Sequence, residues 1–271
     1  MNNWIATVDL DLMTASDNDL LEVVKLCATH TCVKIPNQKL TIEREAEIVK
    51  SFPNPYVLFT PDSPNFERSA LDAEGYIGLV SENSIAGHKE EMLWHNESPH
   101  ARLGSSVAWL YGEQGMEGST TVWNNTVLAY ADLDTDTKEK IKDLKCITFG
   151  NVNHSVARTD ENFKNRSVYN NVPTPLIQTN YAGQTGLFLS LHQFERFEGM
   201  TREESLEIAE PLFDFITQDK YCYTHLWKDG DVSLSDQWLG VHRRLEFSKM
   251  KHRIVHRATF DYPVQFNFLA I

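Results

Sequence analysis

The stretch His225-Leu-Trp-Lys-Asp-Gly-Asp-Val-Ser-Leu-Ser-Asp-Gln-Trp-Leu-Gly-Val-His242 reads as strand, tight turn, strand, with a histidine several residues beyond. Cys222–Trp227 is a short apolar run, and Asp229–Gly230 supplies residues that favour a turn. Comparable runs recur along the chain at Tyr56–Thr60, Tyr76–Val80, Val107–Tyr111, Gly186–Leu191, Arg253–Phe260 and Val264–Leu269. Gly, Asn, Asp or Pro lies near their ends, as strand boundaries require.

Helical signals are fewer. Ser16 with Asp19 can cap a helix carrying Leu20, Leu21, Val24 and Leu26. Thr41 opens a segment with Ile42, Ala46, Val49 and Phe52 at helical spacing, and a short polar helix is predicted from Asp136 to Leu144. Thr201 with Glu204 forms a capping box before Leu206, Ile208, Leu212 and Phe215, and Pro211 is expected to bend that helix. Many short strands and a few helices, most of them early, predict a mainly β fold with flanking helices, a β-sandwich or jelly roll. One domain over residues 1–271 suits that length.

The 271 residues are 41% hydrophobic, enough for a sizeable core, and carry 25 Lys+Arg against 38 Asp+Glu. A net charge of -13 argues against phosphate-neutralising nucleic-acid binding and against docking to anionic lipid. No run approaches the roughly 18 apolar residues of a membrane helix, and the N-terminus lacks the basic and apolar regions of a secretory signal. Cys27, Cys32, Cys146 and Cys222 are scattered without a CxxC pair, which suits a reduced, cytoplasmic chain. Self-association into a homo-oligomer is left open.

Two His-x-Glu pairs occur, His88-Lys-Glu90 and His95-Asn-Glu97. Such a pair is cheap by chance, so a third ligand and a co-substrate site must accompany it. Mononuclear non-haem iron sites use two histidines and one carboxylate on one face. Residues two apart on a strand project to the same side, so His95 and Glu97 can reach one ion, and His242 can supply the distal ligand. A basic stretch follows: Arg243, Arg244, Lys249, Lys251, His252, Arg253, His256 and Arg257. On a strand Arg253, Val255, Arg257 and Thr259 share one face, and Ile254, His256 and Ala258 the other. A guanidinium facing a barrel interior is costly unless it meets an anion, and a dicarboxylate is such an anion. His252 and His256 have the spacing of a zinc pair, but they fall on a strand and lack the intervening glutamate.

WHNE (Trp94–Glu97), EGSTTVW (Glu117–Trp123), the His225–His242 stretch and HRIVHR (His252–Arg257) resemble the taurine dioxygenase-like (TauD/TfdA) Fe(II)/2-oxoglutarate oxygenases. The order and spacing match, with arginines 11 and 15 residues after His242. STTV and WKDGD also look like carbapenem synthase, and Thr31–Glu47 is similar to the family's strand-then-helix opening. The resemblance implies a double-stranded β-helix, with Fe(II) on His95, Glu97 and His242 and 2-oxoglutarate as co-substrate. Thr121 and Arg253 would then hold the co-substrate's far end, and Arg257 would meet the substrate. It further implies consumption of O2, release of succinate and CO2, and oxidation of a small molecule by hydroxylation, desaturation or cyclisation.

The family usually has His-x-Asp. The glutamate here resembles clavaminate synthase-like amino-acid hydroxylases, which points to an amino acid or other small anion as substrate. A carboxylate at this place also disfavours the halogenase variant. Two alternatives stay open: a catalytically inactive jelly-roll binding module, and a zinc hydrolase on the same three ligands. Trp94, Trp123 and Trp238 read as core or pocket wall. Asn83–Glu91 and Val152–Asn171 are polar, weakly patterned candidates for a lid.

Overall fold

The computed structural model describes residues 4–81, 91–97, 106–148, 173–246 and 252–263. In chain order the elements are β1 (Ile5–Thr7), α1 (Asp17–His30), β2 (Cys32–Ile35), α2 (Ile42–Ser51), α3 (Phe66–Ser69), β3 (Gly78–Ser81), β4 (Met92–His95) and β5 (Val107–Gln114). Then follow β6 (Thr120–Asn124), α4 (Thr126–Asp132), α5 (Thr135–Ile141), β7 (Lys145–Thr148), β8 (Thr174–Pro175), β9 (Ile177–Thr179), β10 (Thr185–Leu187) and β11 (Phe194–Phe197). The last are α6 (Arg202–Ile216), β12 (Cys222–Leu226), β13 (Asp231–Asp236), β14 (His242–Arg244) and β15 (Ile254–Phe260).

A larger sheet in the order β1-β2-β13-β5-β15-β3 packs over a smaller one, β12-β6-β14-β4. Apart from β1 and β2, strands that neighbour one another in these two sheets are not consecutive in the chain, as the expected jelly-roll core requires. Along β13, Val232 and Leu234 enter the core shared with α1 and α2. Ser233 and Ser235, which alternate with them, are buried too, as on a strand covered on both faces. α1 adds Leu20, Val23, Val24, Cys27 and Ala28 to that core, and α2 adds Ala46, Ile48 and Val49. Each fully buried Leu, Ile or Val contributes roughly 1.5–3 kcal/mol.

Both predicted capping boxes form, Ser16 with Asp19 and Thr201 with Glu204. α6 runs on through Pro211 to Ile216. The predicted polar helix begins one residue early, as Thr135–Ile141, capped by Asp134. Helices are less concentrated near the start than expected, since α4, α5 and α6 all follow Asn125. Tyr56–Thr60 is not a strand; it is held by Tyr56, Leu58 and Phe59 N–H groups donating to Thr259 and Gly75 carbonyls. Gly186–Leu191 shortens to β10, and Val264–Leu269 lies outside the described residues. The turn before β13 needs Gly230: its φ is +90° and a Cβ there would sit 2.8 Å from the Gln38 carbonyl oxygen. No described helix is long and apolar enough to cross a membrane.

Candidate metal and co-substrate site

Two rows of side chains cross the smaller sheet. In the first, His95 on β4, His242 on β14, Trp123 on β6 and Tyr223 on β12 are successive cross-strand partners. In the second the partners are Met92, Arg244, Thr121 and His225. Directly opposed residues on one sheet face have Cβ atoms about 5 Å apart, so register alone places both histidines together. β4 spends three residues where β14 spends two, a bulge that lets Met92 and His95 both face the interior.

His95 and His242 are 3% and 5% exposed, with ring centroids 4.3 Å apart. Glu97 Oε1 lies 3.8 Å from His95 Nε2 and 3.5 Å from His242 Nε2. One ligand atom from each residue falls within 4.8 Å of the others, and this is the metal-capable cluster among the described residues. These separations suit donors around one ion at roughly 2.0–2.2 Å. His95 Nδ1 lies 2.6 Å from the Leu93 carbonyl oxygen, so its N–H donates there and the Nε2 lone pair is left for a metal. Two imidazoles and a carboxylate on one wall are the donor set of a facial Fe(II) site.

The turn carrying Glu97 is clamped rather than loose. Asn96 N–H donates to Gln193 Oε1, Asn96 Nδ2 donates to the Gln237 and Gly240 carbonyls, and Glu97 N–H donates to Gln237 Oε1. Glu97 is buried, which by itself would raise its pKa; the Arg257 charge and the His242 and His95 imidazoles instead hold it well below the usual carboxylate range. Arg257 Nη2 lies 2.6 Å from Glu97 Oε2, the oxygen turned from the histidines. Arg257 therefore lines the cavity with a partner already in place.

The other end of the same cavity is lined by Thr121, Arg244, Arg253 and Val255. Trp227 Nε1 donates to Thr121 Oγ1 at 2.9 Å, which leaves the threonine hydroxyl proton to donate elsewhere. Arg253 Nε donates to Ser119 Oγ at 3.0 Å, fixing the plane of its guanidinium. Arg244 and Arg253 are each 4% exposed. Burial pushes Arg253 down to about 10, and burial with the Arg253 charge pushes Arg244 down to about 9, so both stay cationic at neutral pH. Two buried guanidiniums and a hydroxyl converging on one small cavity favour an anionic group there.

The cavity is lined by Val80, Met92, Leu110, Arg244 and Val255 besides His95, Glu97, Thr121, His242, Arg253 and Arg257, and only the latter six take a site role from the sequence motifs. Arg244 had a usable signal: it lies two residues after His242 on the same strand face. The supports Trp227, Ser119 and Gln237 had none, because their partners are 106, 134 and 140 residues away. Trp123 is buried between the sheets, Trp94 packs under Arg243 at 5.0 Å, and Trp238 lies 5.7 Å from Tyr181. His88, Glu90 and residues 83–90 and 152–171 of the suggested lid lie outside the described residues.

His252 and His256 form no zinc pair. His256 points to the helix side, where Nδ1 is 2.6 Å from Glu45 and Nε2 3.2 Å from Glu113. Burial would lower its pKa, but Glu45 and then Glu113 raise it overall. A raised folded-state pKa gives a stabilisation that is full below the ordinary histidine value of about 6.5 and is lost as pH rises through the folded value. Thermal melts across that range should show stability falling on the alkaline side in the wild type and a flatter profile in His256→Gln. His256→Ala, which leaves Glu45 buried without its cation, should cost about 3–5 kcal/mol.

The family model described as "Taurine catabolism dioxygenase TauD, TfdA family" matches residues 2–259. The chain belongs to this family. The alpha-ketoglutarate-dependent 2,4-dichlorophenoxyacetate dioxygenase of Burkholderia sp. (strain RASC) is 26% identical over 197 residues, 70% of this chain and 65% of that protein. The enzyme of the same name from Cupriavidus pinatubonensis (strain JMP 134 / LMG 1197) is 24% identical over 70% of this chain and 67% of its own. The chain thus spans about two thirds of the length of these relatives. Among solved structures, AAD-2 in complex with Mn(II) and N-oxalylglycine has a TM-score of 0.76 at 20% identity, covering 94% of this chain and 93% of that one. A taurine dioxygenase from Burkholderia xenovorans has a TM-score of 0.73 at 18% identity, covering 94% and 85%. At these identities the structural likeness shows the TauD-family fold, with its jelly-roll core.

Proposed function

We propose that the chain is a single-domain Fe(II)- and 2-oxoglutarate-dependent dioxygenase acting on a small molecule. The observation that carries this is one cavity with a His95–Glu97–His242 donor set at one end and Thr121, Arg244 and Arg253 at the other. His95, Glu97 and His242 hold the metal. Thr121 donates its hydroxyl proton to the far carboxylate of 2-oxoglutarate, and Arg253 and Arg244 neutralise that carboxylate. Bound Fe(II) supplies the redox chemistry that couples 2-oxoglutarate decarboxylation by O2 to oxidation of the substrate, with succinate and CO2 as co-products. The protein's part is placement: Ser119, Trp227 and Gln237 hold donors in fixed directions, and the apolar walls Leu110, Val255 and Val80 exclude water.

The relatives named for 2,4-dichlorophenoxyacetate act on a small carboxylate, which supports a small anion or amino acid here. Arg257 remains the candidate for its anionic group, reached while it keeps its hold on Glu97. A two-histidine zinc hydrolase would use the same ligands but gives Arg244, Arg253 and Thr121 no task.

The test is anaerobic addition of Fe(II) and then 2-oxoglutarate to metal-free protein. A weak visible charge-transfer band that needs both components is expected. No band at saturating concentrations would sink the reading and leave a binding module.

A further inference from the structure

The row that contains both proposed metal ligands does not stop at them. Beyond His242 it continues through Trp123 to Tyr223, which sits on β12, the edge strand of the smaller sheet. Neighbouring strands lie about 4.8 Å apart, so two steps, or roughly 10 Å, separate the ligand strand from Tyr223. Trp123 is 3% exposed, and its indole nitrogen has no hydrogen-bond partner among the described residues. The ring is held by packing, with Trp227 at 6.1 Å and His225 at 5.8 Å between centroids. Tyr223 stacks on His225 at 6.4 Å and meets Trp4 edge-on at 6.3 Å. Its hydroxyl accepts from Lys34 Nζ at 2.8 Å and lines an open surface groove of about 350 Å³ with Thr7, Asn37 and Asp231.

We propose that Trp123 and Tyr223 form a redox relay that drains oxidising equivalents from the metal site to this groove when no substrate is in reach. The proposal rests on the Fe(II)/2-oxoglutarate reading. Indole and phenol are among the side chains that give up one electron most readily, and here they connect an oxidant-producing site to solvent through adjacent strands. Apolar side chains would serve the core equally well but would leave the oxidant to attack its own ligands.

A turnover that consumes 2-oxoglutarate and O2 without substrate leaves the site two oxidising equivalents above its resting Fe(II) state. For each, one electron passes from Trp123 to the site and one from Tyr223 to Trp123, while the phenolic proton of Tyr223 leaves to water in the groove. That proton is available because the Tyr223 oxygen accepts from Lys34 rather than donating to it. A soluble one-electron reductant such as ascorbate or a thiol then returns an electron, and water a proton, to the tyrosyl radical. Two such rounds, with two protons taken up at the site, restore Fe(II), and the remaining oxygen atom leaves as water.

The test compares wild type, Tyr223→Phe and Trp123→Phe, each loaded with Fe(II). One arm adds 2-oxoglutarate and O2 with no other substrate; the other adds hydrogen peroxide without 2-oxoglutarate, which delivers an oxidant to the metal independently of the co-substrate. Freeze-quenched electron paramagnetic resonance and peptide mass spectrometry are read in both arms. A tyrosyl radical is expected in wild type and absent from both variants. Oxidation should shift onto Trp123 and Trp227 peptides in Tyr223→Phe, and onto His95 and His242 peptides in Trp123→Phe. Ascorbate should protect wild type several-fold and the variants little. Equal radical yield and an unchanged oxidation map in Tyr223→Phe would overturn the relay. Succinate formation without a Tyr223 radical in either arm sinks the relay alone. A Tyr223 radical with peroxide but no succinate from 2-oxoglutarate sinks the co-substrate reading and leaves the relay standing. Neither radical nor succinate in either arm sinks both.

Discussion

Glu97→Ala is expected to leave a folded protein that no longer retains Fe(II), with metal-dependent consumption of 2-oxoglutarate at background. The carboxylate is the only anionic member of the set, so its loss leaves two imidazoles to hold a dication. The same substitution strips Arg257 of its partner at 2.6 Å, at a cost of about 1–3 kcal/mol in stability. These effects separate in a double variant. Glu97→Ala/Arg257→Ala should recover much of the melting temperature while metal binding stays lost. Anaerobic Fe(II) titration and thermal melts read the two independently. Metal-dependent turnover that survives in Glu97→Ala would remove this residue from the ligand set.

Arg253→Ala should weaken 2-oxoglutarate binding by about 2–4 kcal/mol, roughly 30- to 1000-fold, because the proposed pairing with the co-substrate carboxylate would lose its buried cation. Fe(II) affinity without 2-oxoglutarate should hardly change, since Arg253 stands at the other end of the cavity from the proposed metal ligands. Arg253→Lys should fall between: an ammonium keeps the charge but loses the fork whose Nε rests on Ser119. Half-saturation of the charge-transfer band by 2-oxoglutarate measures all three proteins without knowledge of the primary substrate. An unchanged half-saturation in Arg253→Ala would transfer the anchoring role to Arg244.

Much of this was legible in the chain because it depends on short spacings. The alternation along Arg253–Phe260 put Val255 and Arg257 on one face and His256 and Ala258 on the other, and β15 does place them on the cavity and helix sides respectively. Ser16 with Asp19 and Thr201 with Glu204 are local hydrogen-bonding contracts within one turn, and both formed. Tyr56–Thr60 failed for the converse reason. Its β-favouring residues form no ladder among the described residues and settle for scattered bonds to Thr259 and Gly75.

What the sequence determined by itself was the inventory and its local geometry: which residues carry donor atoms, which share a strand face, where the turns fall, and that an acidic chain concentrates its arginines after His242. Tertiary structure decided who meets whom. Registers among β4, β14, β6 and β12 set His95 beside His242 and Arg244 beside Thr121, although 147 residues separate the first pair and 123 the second. It also decided that Arg257 holds Glu97 and that Trp227 aims Thr121. Such pairings depend on hydrogen-bond register and on side-chain reach across a sheet, and a one-residue slip in either strand would turn every one of these groups to the opposite face.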